Sequence, residues 1–146
     1  MLVKTKDGQV EKFPYRPADF RAEYPKTMYS NSREALEPYG IYPVSVQSGF
    51  SYDTLTQRVV MDSTPTLTDK GWWQYGSIEN LPLDVAERSI RNKRDRLLSE
   101  TDWIVIKAYE RNANIPAEWE MYRQALRDIT AQEGFPHSVI WPNQPQ

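Results

Sequence analysis

The chain has 146 residues, enough for one domain of ordinary size or for two very small ones. Its lack of cysteine excludes disulfide bonds, a thiolate nucleophile and a thiolate zinc site. Its formal net charge of −2 gives no sign of the positive surface that binds nucleic acid or an anionic membrane. No stretch approaches the roughly 20 apolar residues that span a bilayer, so we expect folding in a cytoplasm and protein partners.

The first elements in the chain are predicted to be a hairpin and two short helices. The dipeptide Asp7-Gly8 suits the positive φ angles of a tight turn and separates two short strand-like runs. Pro17 can open a helix that must end before Pro25. Ser32 is a candidate N-cap for a second short helix, which Gly40 would close.

Three further segments predict strands. Residues 41–46 alternate imperfectly around Pro43, and because proline cannot donate to a neighbouring strand, we expect an edge strand there. Residues 57–61 and 72–78 flank a turn at residues 69–71 and predict two more strands of a small antiparallel sheet.

The pattern then changes to apolar residues at steps of three and four. It predicts one amphipathic helix over residues 82–99. The hydroxyl of Thr101 can cap a second helix, which would end near Tyr109. Pro116 can open a third helix ending near Gly134, and a proline-rich tail follows.

These elements predict an α+β protein. A small antiparallel β-rich part with short helices, residues 1–78, would precede a three-helix unit with a proline-rich tail, residues 79–146. No Gly/Ser linker marks the boundary, so a single α+β unit is the alternative.

No catalytic or metal-binding pattern stands out. His137 is the only histidine, so a catalytic triad or a two-histidine metal site would lack partners. The densest basic segment, RNKRDR at 91–96, is interrupted by Asp95 and carries no aromatic residue for base stacking, which favours a charged helix face over a phosphate site. We therefore predict a binding protein that is not an enzyme and uses no cofactor or metal.

Three strings carry a resemblance to a known family: RNKRDRLLSETDW at 91–103, PAEWEMYRQALRDITAQEGFP at 116–136 and IWPNQP at 140–145. They resemble the C-terminal domain of bacteriophage tail-fibre assembly proteins, also called phage tail assembly chaperones. That family's pattern is an Arg-Asp-Leu-Leu helix, a Thr/Ser-Asp-Trp start, a Tyr-Arg-Gln-Ala-Leu-Arg-Asp helix, Gly-Phe-Pro and Trp-Pro. A less specific likeness extends through KDGQVEKFPY, PYGIYPV, YDTLTQRVV and WWQYG in the first half.

The resemblance implies a phage protein that works by binding. Its expected partner is a trimeric tail-fibre protein, whose assembly and attachment to the tail it would assist in the host cytoplasm. Baseplate proteins are further candidate partners. The alternative is a permanent virion component, such as an adaptor between fibre and baseplate, retained in the tail.

Large aromatic residues are the candidate anchors for such a partner, because they dominate both cores and interfaces. Five Trp, nine Tyr and four Phe predict an aromatic core. Trp72 and Trp73 would point to opposite faces of a strand, so at least one is exposed or covered by another element. Helical spacing favours a core position for Trp103 and Trp119. The candidate partner-binding residues are Trp72, Trp73, Trp103, Trp119, Tyr122, Arg123, Phe135 and Trp141.

An ion pair is expected to fix the packing of the helices. Arg94 or Arg127 is predicted to pair with Asp102 or Asp128, because a partly buried charge at a helix joint needs a partner.

Overall fold

The computed structural model describes residues 1–146 and separates into two compact units. Unit 1 consists of Met1–Ser51 and Val59–Ile78, and unit 2 consists of Tyr52–Arg58 and Glu79–Gln146. A β-rich part with two short helices precedes three longer helices, which confirms the α+β class. The division into separate domains at residue 79 stays a proposal.

Seven strands and two short helices occupy the first 80 residues. The helices are α1 (Pro17–Glu23) and α2 (Arg33–Leu36), the latter followed by a 3₁₀ turn at Glu37–Tyr39. The strands are β1 (Leu2–Lys6), β2 (Gln9–Tyr15), β3 (Ile41–Val46), β4 (Gln57–Met61), β5 (Thr66–Thr68), β6 (Gly71–Gln74) and β7 (Gly76–Asn80).

The predicted hairpin and helix signals are confirmed. Asp7 and Gly8 have φ angles of 52° and 78° in the turn between β1 and β2. Pro17 opens α1, and the Ser32 hydroxyl accepts a hydrogen bond from the Ala35 amide at 3.2 Å at the start of α2. Gly40 closes the 3₁₀ turn with φ of 70°. These signals act over a few residues, which is why the sequence alone predicts them.

The prediction of an edge strand around Pro43 is wrong. The five-stranded sheet has the order β2-β1-β3-β6-β5, so β3 lies at its centre. Residues 41–43 pair with antiparallel β1, and residues 44–46 pair with β6. Because β3 changes partner after Pro43, the missing amide of the proline interrupts neither pairing. The β3–β6 pair is parallel, so the sheet is antiparallel except at this one position.

The prediction that residues 57–61 and 72–78 form two more strands of one small antiparallel sheet needs a second correction. The run 72–78 forms two strands, with β6 paired to β5 across the turn at 69–71 and β7 paired to β4 in a separate two-stranded ribbon. The three-residue strand β5 was missed because a segment this short carries too little alternation to register as a strand.

Aromatic rings fill the main core of unit 1, as predicted. Phe20 is buried, and its ring centroid lies 4.9 Å from that of Tyr24 and 5.2 Å from that of Tyr39. A second cluster consists of Val3, Val44 and Trp72. Such rings exclude water over large areas, so a few of them can hold a small sheet and two short helices together.

Unit 2 contains three longer helices, as predicted, but the third ends at Arg127 and not near Gly134. They are α3 (Leu83–Glu100), α4 (Asp102–Glu110) and α5 (Ala117–Arg127), and a 3₁₀ turn follows at Asp128–Ala131. None of the helices combines the length and the apolar character that a membrane crossing requires. The core of this unit is mainly aliphatic, with one buried tyrosine: Ala86, Ile90, Ile104, Ala108, Tyr122, Leu126 and Ile129.

Candidate protein-binding site

Arg123 joins the three helices of unit 2. Its guanidinium Nη1 donates hydrogen bonds to the Leu98 carbonyl at 2.8 Å and to the Thr101 hydroxyl at 2.5 Å, and Nη2 donates to the Asp102 carboxylate at 2.8 Å. The residue is only 8% exposed. One side chain from α5 therefore fixes both the end of α3 and the start of α4.

The predicted ion pair involves a different arginine from those expected. Arg94 contacts its neighbour Asp95, and the Asp128 carboxylate accepts hydrogen bonds from Gln124. Arg127 is exposed, whereas Arg123 lies on the buried side of α5. The choice of arginine depends on how α5 is rotated about its axis, and the spacing of apolar residues defines that rotation only approximately.

Thr101 does not cap α4 through its hydroxyl, contrary to the prediction. Its Oγ1 donates to the Leu97 and Leu98 carbonyls at the end of α3 and accepts from Arg123. The α3–α4 corner is too tight for the usual cap geometry, because Thr101 ends one helix and begins the next.

Beyond this junction, α4 and the start of α5 enclose a groove of about 250 Å³. Two tryptophans line it, Trp103 from α4 and Trp119 from α5. Trp103 is 55% exposed and Trp119 is half-buried. We call this the tryptophan groove; the rest of its lining is Ile104, Lys107, Ala108, Arg111, Ala113, Asn114 and Pro116.

The expectation that Trp103 fills the core is wrong. Ile104 and Ala108 form the buried side of α4, and Trp103 precedes Ile104 by one position, which is about 100° around the helix. Exposed Ile106 and Tyr109 lie on α4 as well. The helix is apolar on most of its circumference, so the sequence could not show which of its aromatic residues would be buried.

Two cations border the tryptophan groove. The Lys107 ammonium lies 5.5 Å from the ring centroid of Trp103. Neither Lys107 nor Arg111 forms an ion pair within the chain. The groove is therefore apolar at its walls and positively charged at its rim. Sequence reasoning missed both cations, because its candidates were seven aromatic residues and Arg123.

The tail is fastened to the helices of unit 2. The Gln132 side chain donates to the Ile140 carbonyl at 2.9 Å and accepts from the Ile140 amide at 2.7 Å. Trp141 lies under the Lys93 ammonium, 4.2 Å from its ring centroid, and Phe135 faces the Arg91 guanidinium at 5.4 Å. Both rings are half-buried, so they contact α3 and keep part of their surface exposed.

The basic segment at 91–96 is largely compensated by its own helix. Arg91 pairs with Glu87 at 3.3 Å, and Arg96 pairs with Glu100 at 3.6 Å. Together with the two ring contacts from the tail, these pairs support the interpretation of a charged helix face. No group of three His, Asp or Glu side chains is placed to hold a metal ion.

The remaining candidate residues lie in different environments. In unit 1, Trp72 is buried, whereas Trp73 is half-buried on the opposite face and stacks on Tyr75 at a centroid distance of 6.2 Å. In unit 2, Tyr122 and Arg123 are buried. Burial raises the pKa of the Tyr122 hydroxyl, with a smaller contribution from Glu100. A partner could therefore contact only a small part of the buried Trp72, Tyr122 and Arg123 directly.

Comparison with known proteins agrees with the sequence resemblance. Residues 87–146 match the model of a family described as phage tail assembly chaperone protein. The last 60 of the 146 residues are therefore similar to the phage tail assembly chaperone family. No curated protein and no solved structure gave a match.

The chaperone-family region contains most of α3, the whole of α4 and α5, and the tail. The tryptophan groove and the Arg123 junction therefore lie within it. This match supports a role in phage tail assembly. The weaker likeness in the first half of the chain lies outside the matched residues.

Proposed function

We propose that this protein binds tail-fibre protein in the host cytoplasm and assists its assembly and attachment to the tail. The observation that carries the proposal is the tryptophan groove within the family region. An exposed tryptophan beside an apolar groove can anchor a protein partner, because covering the ring removes a large apolar area from water.

The size of the groove favours a protein partner over a small molecule. Its volume of about 250 Å³ is below the range of about 300–1,000 Å³ typical of small-molecule pockets. One or two side chains of a partner would fill it. Exposed Ile106 lies on α4 as well and offers further apolar contact.

The arrangement of the groove also supports binding without a large rearrangement. The Arg123 junction fixes α4 against α5, so the two tryptophans are held in place before a partner arrives. A preorganised surface loses less conformational entropy on binding. We propose that Trp103 and Trp119 contact the partner directly, and that Tyr122 and Arg123 act by holding these helices.

The alternative is a permanent adaptor between fibre and baseplate. An adaptor needs two contact surfaces, and the partly exposed pair Trp73 and Tyr75 in unit 1 would provide the second one. The tail favours the chaperone instead, since it is fastened by Gln132 and Trp141 and does not extend as an arm that orders on assembly.

Two experiments test the proposal. The first is pull-down of the phage's tail-fibre protein with the wild-type chain, Trp103→Ala and, as a matched control in unit 1, Trp73→Ala. We expect capture by the wild type and the control and loss of capture with Trp103→Ala. Failure of the wild type to capture the fibre would refute the proposal, and loss with the Trp73 variant alone would favour the adaptor.

The second experiment is mass spectrometry of purified particles, with the copy number compared to that of the tail proteins. Presence in infected-cell lysate and absence from particles is the result expected of a chaperone. A fixed multiple of the fibre or baseplate count would make the protein a permanent tail component.

A further inference from the structure

We infer that the tryptophan groove accepts an acidic protein segment, in which an apolar side chain enters the groove and neighbouring carboxylates contact Lys107 and Arg111. This inference rests on the proposed function and adds to it the chemistry of the fibre segment that is bound.

The apolar part of the occupant follows from the walls of the groove. Ile104, Ala108 and Pro116 contribute aliphatic surface between the two tryptophan rings. A polar side chain placed there would lose its hydration without a matching set of hydrogen bonds, which makes its binding unfavourable. An aliphatic or aromatic side chain has no hydrogen bonds to water that it would have to give up.

The charge of the occupant follows from the rim. Lys107 and Arg111 lack carboxylate partners, whereas Arg91, Arg94 and Arg96 on α3 each have one. No Asp or Glu lines the groove. The side chains at the groove therefore present two uncompensated positive charges, and an acidic segment would compensate them.

The backbone at the end of α4 does not offset these charges. The amides of Arg111, Asn112 and Ala113 donate to carbonyls of the last turn of α4, the shortest of these bonds being Ala113 N to Ala108 O at 2.9 Å. Because these carbonyls already accept hydrogen bonds, they leave less uncompensated partial negative charge at the C-terminal end of α4. A carboxylate can therefore approach the two cations here.

Asn114 supplies a further element of recognition. Asn114 lines the groove and is exposed. An asparagine amide offers two donors and an acceptor, which match the carbonyl and amide of an extended peptide backbone. The segment would thus be held by an apolar anchor, by carboxylates and by its main chain.

The test uses the full chain and two synthetic peptides, Gly-Ser-Asp-Leu-Phe-Glu-Ser-Gly and its neutral counterpart Gly-Ser-Asn-Leu-Phe-Gln-Ser-Gly. Binding is followed by tryptophan fluorescence and by NMR shifts of the α4 and α5 amides. Since each exposed ion pair contributes at most about 1 kcal/mol, we expect the acidic peptide to bind about tenfold more tightly than the neutral one. Raising the ionic strength from about 0.05 to about 0.5 M should reduce this preference.

Charge reversal provides the sharper readout. Lys107→Glu should lose the preference for the acidic peptide and gain one for Gly-Ser-Lys-Leu-Phe-Lys-Ser-Gly, while Lys26→Glu, an exposed site in unit 1, should leave both affinities unchanged. A structural role of Lys107 could not produce such an exchange. Equal binding of the acidic and neutral peptides, no binding of either, or binding of a single-stranded oligonucleotide in their place would overturn the inference.

The two proposals fail separately. If the wild-type chain captures tail-fibre protein and the capture is insensitive to Lys107→Glu and to salt, the inference of an acidic segment is refuted and the proposed function stands. If the acidic peptide binds as expected and the fibre protein is not captured, the groove chemistry stands and the partner is a different tail protein.

Discussion

The Asp102 carboxylate accepts a hydrogen bond of 2.8 Å from the Arg123 guanidinium, which places a charge pair at the first turn of α4. The same guanidinium reaches the Leu98 carbonyl and the Thr101 hydroxyl. Asp102 is more than half exposed, so the pair itself contributes little, and the bonds made by the buried end of Arg123 matter more. The corner between α3 and α4 therefore depends on a side chain that is distant in sequence.

Replacing Arg123 tests this dependence. We expect Arg123→Met to lower the free energy of unfolding by about 2–3 kcal/mol, because the Leu98 carbonyl and the Thr101 hydroxyl would lose a charged donor in a buried setting. Arg127→Met is the matched control, one turn away on an exposed face, and should change the free energy by less than about 0.5 kcal/mol. Urea unfolding followed by the far-UV helix signal measures both. Equal losses would contradict the assigned role.

Gly134→Ala should loosen the tail. A Cβ at this position would lie 2.2 Å from the Ser138 carbonyl oxygen, and because the obstructing atom belongs to the backbone it cannot rotate away. The turn closed by the 2.7 Å bond from the Ser138 amide to the Gly134 carbonyl would have to open. We expect faster proteolytic cleavage after residue 134. Glu133→Ala, an exposed neighbour, is the control and should leave the cleavage rate unchanged.

Asn112 closes the corner that borders the tryptophan groove, and its φ of 48° is in the left-handed region. Alanine is strained there by roughly 1–2 kcal/mol, whereas glycine is not. We therefore expect Asn112→Ala to lower the melting temperature and Asn112→Gly to preserve or raise it. Differential scanning calorimetry distinguishes the two variants. A larger loss for glycine than for alanine would argue against this backbone explanation.

Tyr15 should make unit 1 sensitive to alkaline pH. Burial raises the pKa of its hydroxyl from 10.0 to about 12, so the neutral form is favoured in the folded state. The stabilisation from Tyr15 is complete below pH 10 and is lost as pH rises towards about 12. The pKa of Lys4 is raised too, chiefly by its hydrogen bond to Glu23, and its contribution falls over the alkaline range as well.

Tyr15→Phe isolates the tyrosine. The hydroxyl is buried without a hydrogen-bond partner, so its removal should stabilise the protein by up to about 1 kcal/mol at neutral pH. The variant should also lose less stability than the wild type between pH 10 and about 12. Thermal unfolding at the two ends of this range measures the difference. Tyr75→Phe, at a partly exposed site, serves as the control, and identical pH profiles for wild type and Tyr15→Phe would count against the argument.

Sequence reasoning succeeded where the signal is local. Asp7-Gly8, Pro17 and Ser32 fix a turn, a helix start and a cap through contacts within a few residues. It failed where the partner is distant. The position of β3 at the centre of the sheet and the parallel β3–β6 pair depend on long-range pairing, and nothing in the residues around Pro43 specifies that partner.

The candidate site shows the same limit. The family strings point to the last third of the chain, where the tryptophan groove lies, and that aromatic residues serve as anchors stays a prediction. The exposure of Trp103 depends on the rotation of α4, and the part played by Arg123 depends on the rotation of α5. A helix that is apolar on most sides, such as α4, leaves that rotation undetermined until its neighbours are known.

Because β3 pairs with β1 in its first half and with β6 in its second half, the five-stranded sheet of unit 1 can separate at its central strand. The hairpins β1–β2 and β5–β6 are hydrogen-bonded to opposite halves of one strand and not to each other. Opening of the second hairpin would release the Gln47 amide, which donates to the Gln74 carbonyl at 3.0 Å, while the Val44 amide, which donates to the Met1 carbonyl at 2.9 Å, would stay protected. Hydrogen exchange would then differ between these two amides, so one short segment reports on two separable motions.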